Sequence, residues 1–358
     1  MRLAIYGAQG MAFGAYKAIK ELFPEQEILC FIVSEMGMNP PVLGDVPVME
    51  FHDFLAKVPQ GEMDDIEVLI GAPENVMQDI EIILKRAGIH NYVCLDSCRW
   101  ADMIGNASLH SGKHLPLKAY VVGCSRAKLH VFKTVHFHDR PLKTQYREPE
   151  YISVLQVGAD SSPKNCVGFK DYEGDNISEK NGNYSELTGL YWIWKNYLRT
   201  REDHDYYGLV HYRRLLDLSE DDILRLKDND IDAVLPYPMP YSPNIEVHHR
   251  RYLTDGEWTS VLNVLHELCP EYAKAFEDIL EQEYLYNYNI ILAKRKVLEE
   301  YCAWLFPILF RIEEMNDPEG KKAPNRYIGY VGENLETLYF MYHKHNLRIA
   351  HTGVKFLV

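Results

Sequence analysis

One short apolar strand, residues 206–210, runs straight into His211-Tyr-Arg213-Arg214. In open α/β sheets, ligands settle just beyond the carboxyl ends of the strands. A guanidinium fork meets a phosphate or carboxylate bidentately, so His211, Arg213 and Arg214 at such a place predict an anion site. The alternative is a surface salt-bridge cluster following a buried strand. Upstream, Tyr191-Trp-Ile-Trp-Lys-Asn196 offers two tryptophans able to wall such a pocket.

Other residues that could act are spread around this cluster. Glu186 falls in the first turn of a helix expected over residues 185–198, where a carboxylate also suits the helix dipole. Glu333 stands at the start of a helix expected over 334–343, as a cap helper or an acid/base group. His136, His138 and Asp139 end one strand and Asp160 follows another, which together would build a crevice. The two histidines have metal-like spacing, but a nucleotide contact or plain hydrogen bonding fits them better than a metal. Asn287 and Asn289, in a strand expected over 284–293, could bind sugar hydroxyls or simply satisfy a strand end. His248-His-Arg-Arg251 is a second cationic run, and Pro236-Tyr-Pro-Met-Pro-Tyr-Ser-Pro243 is a stiff aromatic loop. Such a loop suits stacking on a sugar or base, or serves as a rigid connection. Asp203-His-Asp205 and Asp228-Asn-Asp230 have the letters of a divalent-cation motif. Both precede their strands, on the wrong edge of a sheet, and read as solvated turns. Fixed cations can stabilise a departing diphosphate without a metal. The site is therefore expected to need none, with Mn²⁺ or Mg²⁺ the alternative.

The elements that must position these groups fall into two expected domains, 1–125 and 126–358. In the first, strands at 2–6, 27–33, 66–71 and 92–95 alternate with helices, the signature of parallel βαβ units and a Rossmann-like sheet. Gly7, Gly10 and Gly14 would let the backbone approach an anion at a helix N-terminus, and Glu35 is placed to bind a ribose. Their Gly-x2-Gly-x3-Gly spacing departs from the dinucleotide fingerprint, so packing is the competing explanation. Residues 97–128 read as a linker, with 121–122 a candidate edge strand. In the second domain, strands are expected at 129–135, 152–157, 206–210, 233–235 and 284–293. Its helices are expected at 185–198, 296–312 and 334–343.

Composition sets limits on the partners. A chain of 358 residues with 47% hydrophobic content can fill two cores. A net charge of -14 argues against nucleic acid and against anionic membrane surfaces. Cys30, Cys94, Cys98, Cys124, Cys166, Cys269 and Cys302 are scattered and odd in number, as expected for free thiols in a reducing cytoplasm. The chain enters a strand at once, without a signal peptide, and its strongest apolar run, 301–310, is about half a membrane span.

From about residue 129 to 358 the sequence resembles the bacterial capsular and exopolysaccharide glycosyltransferase family, long filed as a domain of unknown function. The matching pieces are Gly174-Asp-Asn-Ile-Ser, Tyr184-Ser-Glu-Leu-Thr, Tyr191-Trp-Ile-Trp-Lys-Asn, Gly208-Leu-Val-His-Tyr-Arg-Arg, Tyr301-Cys-Ala-Trp-Leu-Phe and Gly329-Tyr-Val-Gly-Glu. Where the family shows a Thr-His pair, this chain reads Thr134-Val-His136-Phe-His138. Through Ile5-Tyr-Gly-Ala-Gln-Gly10 and Pro41-Val-Leu-Gly-Asp-Val-Pro-Val48, the first domain resembles the nucleotide-sugar-binding domains of bacterial sugar acetyltransferases.

The resemblance implies a GT-A-like fold and sugar transfer, galactofuranose being the first guess, from a nucleotide donor, UDP favoured, to a growing glycan. It implies that His211, Arg213 and Arg214, with His249, hold the diphosphate. His136, Asp160 and Tyr184 would line the nucleoside, and Asn181, Asn183 and Asn289 the sugar. For an inverting reaction, Glu333 or Glu186, with Asp175 third, would take the acceptor's proton. The acceptor would be lipid-linked or a polysaccharide, at the inner face of the cell membrane beside membrane-bound assembly machinery. Two other readings stand beside it. One is a nucleotide-sugar oxidoreductase or epimerase, which calls for a nicotinamide and a Tyr-x-x-x-Lys or similar set in the first domain; no such set is recognised in residues 1–125. The other is a non-catalytic partner of glycan biosynthesis.

Overall fold

The structure, a computed structural model, describes residues 2–142, 146–161, 168–200, 203–320 and 323–357; Cys166 lies outside them. The first half contains β1 (Arg2–Tyr6), α1 (Gly10–Leu22), β2 (Ile28–Val33), β3 (Val42–Leu43), β4 (Val46–Glu50) and α2 (Phe51–Lys57). It continues through β5 (Ile66–Ile70), α3 (Glu74–Arg86), β6 (Tyr92–Cys94) and α4 (Ser97–Ser111). Its sheet runs β3-β4-β2-β1-β5-β6, parallel except for the β3–β4 hairpin. Strands covered on both faces read as unbroken apolar runs. Ile5, Phe31 and Val33 accordingly pack with α1, while Ala4, Ile32, Val68 and Ile70 pack with Met77, Ile80 and Leu84 of α3.

The stretch expected as a linker is largely helix. Asp96 caps α4 by accepting from the Arg99 N–H, and Gly112 ends it in the left-handed conformation. Its buried face is built of Trp100, Ala101, Gly105 and Ala107, small residues that hide an apolar stripe among polar ones. Val121, expected at a strand edge, is instead 78% exposed in a connecting segment.

The second half contains β7 (Leu129–Val135), β8 (Ile152–Gln156), β9 (Phe169–Lys170), α5 (Asn181–Tyr184), α6 (Leu187–Trp192), β10 (Tyr206–His211) and β11 (Arg214–Leu216). Next come α7 (Glu220–Asp228), β12 (Ala233–Pro236), β13 (Met239–Pro240), α8 (Ile245–His248), α9 (Asp255–Leu268) and α10 (Pro270–Leu280). The last elements are β14 (Tyr284–Leu285), β15 (Ile291–Lys294), α11 (Arg295–Asn316), α12 (Tyr327–Tyr342), β16 (Ile349–Thr352) and β17 (Val354–Phe356). The main sheet runs β16-β12-β15-β10-β7-β8-β9, with β15 antiparallel to its neighbours. From β7 the chain moves outward to β8 and β9, then returns to lay β10 on the opposite side of β7. That reversal opens a crevice at the carboxyl ends of β7 and β10. The whole is an α/β fold of two large sheets, with β13 and β14 paired as a separate two-stranded ribbon.

Three elements differ from the sequence expectation. The helix expected over 185–198 is interrupted at Ser185, whose φ is 51°, and ends in a π-turn over Ile193–Leu198. The strand expected over 284–293 breaks at Tyr288 and Asn289, both left-handed, between β14 and β15. The last helix starts at Tyr327, so Glu333 lies inside it rather than at its start. Gly329 and Gly332 hid those first turns, since glycine disfavours helix. The second is there for close approach: a Cβ on Gly332 would stand 2.7 Å from Leu187 and 2.9 Å from the Asn289 amide oxygen.

One buried carboxylate fixes the loops around the crevice. Asp171, 0% exposed, accepts from the Gly158 N–H at 2.9 Å, the Ala159 N–H at 3.0 Å, Ser178 Oγ at 2.5 Å and Thr188 Oγ1 at 2.7 Å. Asp171→Ala would strand all of these donors and cost about 3 kcal/mol or more. A thermal unfolding midpoint unchanged from wild type would rule out this pinning role.

Candidate functional site

A cavity of about 680 Å³ opens beyond the carboxyl ends of β7, β8 and β10. Its walls are residues 134–139 after β7, Val157, Gly158 and Ser161 after β8, and 211–214 after β10. The turns around Asn181 and Glu186 close one side, and Arg326 closes the top. Of the residues singled out from sequence, His136, Asn181, Glu186, His211, Arg213 and Arg214 line this one space.

The cationic wall consists of Arg213, Arg214 and Arg326. Among the described residues none of them forms an ion pair, and the Nε atoms of Arg213 and Arg214 are buried without a partner. Arg214 is held flat between aromatic rings, 4.3 Å from the Tyr288 centroid and 5.7 Å from that of Phe356. Arg326, left-handed with φ 63°, donates to Ser185 Oγ at 3.1 Å. His211 differs from the expectation of a third fixed charge. Burial pushes its pKa below the ordinary imidazole value, so at neutral pH the ring is uncharged, with Nε2 left unpartnered. It offers a hydrogen bond rather than a charge.

The same site holds a pair of carboxylates. Glu186 lines the cavity and accepts from the Asn289 amide at 2.6 Å. Glu333, directly behind, accepts from the Asn287 amide at 3.3 Å and from the backbone of Tyr288. Burial first, and then the charge of Glu186, push the Glu333 carboxyl up to about 7. Deeper on α12, Glu336 is 1% exposed with neither carboxyl oxygen hydrogen-bonded, and burial pushes it far above the usual carboxylate range. The Tyr288–Asn289 turn touches every part: it meets His211 and Glu333 through the backbone of Tyr288, Arg214 through its ring, and Glu186 through Asn289.

Several sequence candidates lie elsewhere. Tyr184 is fully buried with its hydroxyl donating to Glu313 at 3.0 Å, so it is core and not a nucleoside wall. His249 is buried and stacked on Trp258 at 4.0 Å, away from the cavity. Asp175 is exposed and accepts from the Tyr191 hydroxyl. Asn183 accepts from the Asn325 N–H, tying down the segment before α12. Asp160 is exposed beside the lining residue Ser161. Asn289 reaches the site only through Glu186. Trp192 and Trp194 pack on Phe169 and Phe306 instead of walling the pocket.

The glycine turn of the first half is filled by protein. A Cβ on Gly10 would meet Met239 at 3.1 Å and Tyr241 at 3.2 Å; Gly7 abuts Gly71, and Gly14 abuts Trp100. Gln9 accepts from Arg251 at 2.7 Å across the same seam, and Glu35 is exposed. A Tyr-x-x-x-Lys pair does occur on α1, as Tyr16 and Lys20. Burial and the hydrogen bond to Asp45 push the Tyr16 phenol up to about 12, the wrong direction for a catalytic phenolate. Asp205 accepts from the Lys128 N–H, Asp228 from the Cys124 N–H, and Asp230 pairs with Lys294. Among the described residues no three His, Cys, Asp or Glu side chains gather as a metal site. Sequence reasoning brought forward Asp139, which lines the cavity with His136 and His138, and missed Arg326 and Ser185. A helix start placed at Tyr327 would have brought Arg326 forward as the residue before it.

Residues 134–345 match a family model described as "Domain of unknown function (DUF4422)". A solved structure described as "WbbM bifunctional glycosytransferase apo structure" resembles this fold with a TM-score of 0.55 at 25% sequence identity. The likeness covers 64% of this chain and 45% of that one, so this chain spans less than half of that protein's length. No curated protein matches.

Guanidiniums without ion pairs on one wall of a crevice can receive a diphosphate bidentately. Inorganic pyrophosphate should raise the thermal midpoint of the protein. Arg213→Ala and Arg214→Ala should each weaken its binding by about tenfold, the loss of one charge-assisted contact. Equal pyrophosphate affinity in both variants and wild type would remove the anion site.

Proposed function

From the premise that this chain belongs to the DUF4422 family, we propose that it transfers a sugar from a nucleotide-sugar donor to a glycan acceptor. The observation that carries this reading is a single cavity lined both by guanidiniums that form no ion pair among the described residues and by the Glu186 carboxylate, with Glu333 behind it. The likeness to a protein described as a glycosyltransferase supports it.

In the proposed reaction the donor's diphosphate lies against Arg213, Arg214 and Arg326, with the neutral His211 ring beside it. Glu186 takes the proton of the acceptor hydroxyl. The acceptor oxygen bonds to the anomeric carbon as the carbon–oxygen bond to the diphosphate breaks, and the electron pair leaves on the phosphate. Fixed positive groups that face this developing charge need no reorganisation at the moment of reaction. Direct displacement inverts the anomeric centre, and the guanidiniums take the part a divalent cation would otherwise play. We take UDP as the nucleotide, galactofuranose as the first sugar to try, and a lipid-linked or polysaccharide chain of capsular or exopolysaccharide type as acceptor. No described helix is long and apolar enough to cross a membrane; meeting a lipid-linked acceptor at the inner face of the membrane would be peripheral.

Glu333 takes up its proton near pH 7, and with it goes the negative charge beside the proposed base Glu186. Transfer should therefore fall as pH drops through about 7. Glu186→Gln should abolish transfer. Glu333→Gln should remove that step from the pH profile.

A raised folded-state pKa means that the native state holds its proton longer than the unfolded chain does. Stability then falls between the ordinary glutamate pKa and about 7. Glu333→Gln should accordingly stabilise the protein at pH 8 by on the order of 1 kcal/mol. A thermal-shift screen with UDP-, GDP- and dTDP-sugars, with and without Mn²⁺, tests donor class and metal dependence. A flat response to all of them, together with no product in a transfer assay, would refute the reading.

A further inference from the structure

A second recess, away from the cationic cavity, lies along the seam between the two halves. It consists of adjoining hollows of about 990 and 400 Å³ that share Lys113, His114 and Tyr284 as a saddle. The larger hollow reaches Phe340 on α12 and Lys344 just past its end, while Arg326 precedes the other end of that helix. From 326 to 340 the rise of an α-helix sets the two sites about 20 Å apart. The proline-rich loop singled out in the sequence belongs here: Pro238 and Pro240 line the smaller hollow.

The floor of the recess is aromatic and uncharged. The His114 ring lies 4.9 Å from Tyr284 and 5.4 Å from His351, and Tyr286 stacks on His351 with its hydroxyl 2.8 Å from Nε2. Burial pushes the pKa of His114 down to about 4 and that of His351 to about 3, so both rings are neutral at physiological pH. Lys113 and Lys344 face the floor as nearby cations, and neither reverses that state. His114 is held left-handed, with φ 49°, an unfavourable conformation for a side-chain-bearing residue. On the rim of the same recess Asp230 shares that conformation, with φ 54°.

The rim carries both signs. Lys113, Lys344 and Arg348 face Asp230 and Asp232, which already pair with Lys294. A polyanion would gain little from such a rim. The edge of β16 is bridged at His351 by Pro116, so no open strand edge is offered there to an extended peptide. Neutral aromatic faces ringed by mixed hydrogen-bonding groups suit the alternating apolar faces and hydroxyl edges of sugar rings.

We propose that this seam recess binds a saccharide chain, with sugar rings seated on Tyr284 and His114. The proposal extends the glycosyl-transfer reading by giving the acceptor glycan a holding site remote from the reacting end. The binding itself can be tested without any transfer.

Maltohexaose, cellohexaose and galactohexaose serve as probes, with binding measured by saturation-transfer NMR and calorimetry on the full chain. At least one should bind wild type. Tyr284→Ala should weaken that binding about tenfold or more. His114→Gly removes the ring yet suits the left-handed backbone, so it should weaken binding similarly while keeping the fold. Arg213→Ala should leave hexaose binding unchanged, and Tyr284→Ala should leave UDP-sugar binding unchanged. The recess proposal is overturned if no probe binds at millimolar concentration or if the Tyr284 and His114 variants bind as wild type. It also falls if Arg213→Ala abolishes hexaose binding, which would place the saccharide in the cationic cavity. Absence of UDP-sugar binding in every form would instead sink the transfer reading while leaving the recess result standing.

Discussion

The site depends on a two-residue turn that the backbone would not choose unaided. Tyr288 and Asn289 both have positive φ, 79° and 50°, at a break between two strands of apolar sequence. Each such residue costs on the order of 1 kcal/mol or more and persists only where its surroundings over-determine it. Here they do. The Tyr288 backbone meets His211 on one side and Glu333 on the other, its ring lies under Arg214, and the Asn289 amide fixes Glu186. Straightening the turn into the regular strand that its sequence suggests would separate the cations from the carboxylates.

Packing from two directions holds the turn in place. Gly332 lets α12 approach until Asn289 lies against the helix backbone, which no larger residue would allow. The interruption at Ser185 lets the chain turn toward Arg326 and puts Glu186 at the start of α6, facing the same amide. Behind these, Asp171 ties the loop after β8 to the turns around Ser178 and Thr188, so three chain segments share one acceptor. A buried carboxylate is tolerable because so many donors converge on it. The same logic marks Glu336 and Glu333 as costly: they hold position through burial rather than through ion pairs, and their pKa values rise in consequence.

Much of this was legible in the sequence, and its failures have physical reasons. The strand ending in His211 was readable because a continuous apolar run followed by charges is the mark of a buried parallel strand. The alternation of strands and helices in residues 2–94 was readable for the same cause. What period and propensity could not show was a backbone reversal inside an apolar run. Residues 284–293 look like one strand because left-handed tyrosine and asparagine leave no turn signature of the usual Gly or Pro kind. The start of α12 was hidden by glycines that serve helix-to-helix contact. Tyr184 and His249 were misread because polar-tipped aromatics look alike in a core and in a binding wall; only their burial separates the cases. At the glycine turn of the first half the sequence left a ligand and packing both open, and the backbone there admits Met239 and Tyr241 of the second half.

The overall charge of the chain makes the local arrangement more demanding. At -14, the protein as a whole repels anions, so a site for the diphosphate of the proposed donor must rest on short-range, weakly screened groups. Among the described residues Arg213, Arg214 and Arg326 form no ion pair, and a neutral His211 avoids the added self-repulsion that a fourth buried charge would bring. Glu186 lines the same cavity and Glu333 lies behind it. In the proposed reaction an anionic diphosphate is drawn to the arginines, which leaves the uncharged sugar end as the part that can lie against Glu186. Charges of both signs in one cavity would then do two things that neither alone could do: hold an anion despite an acidic protein, and set which end of that anion meets the base.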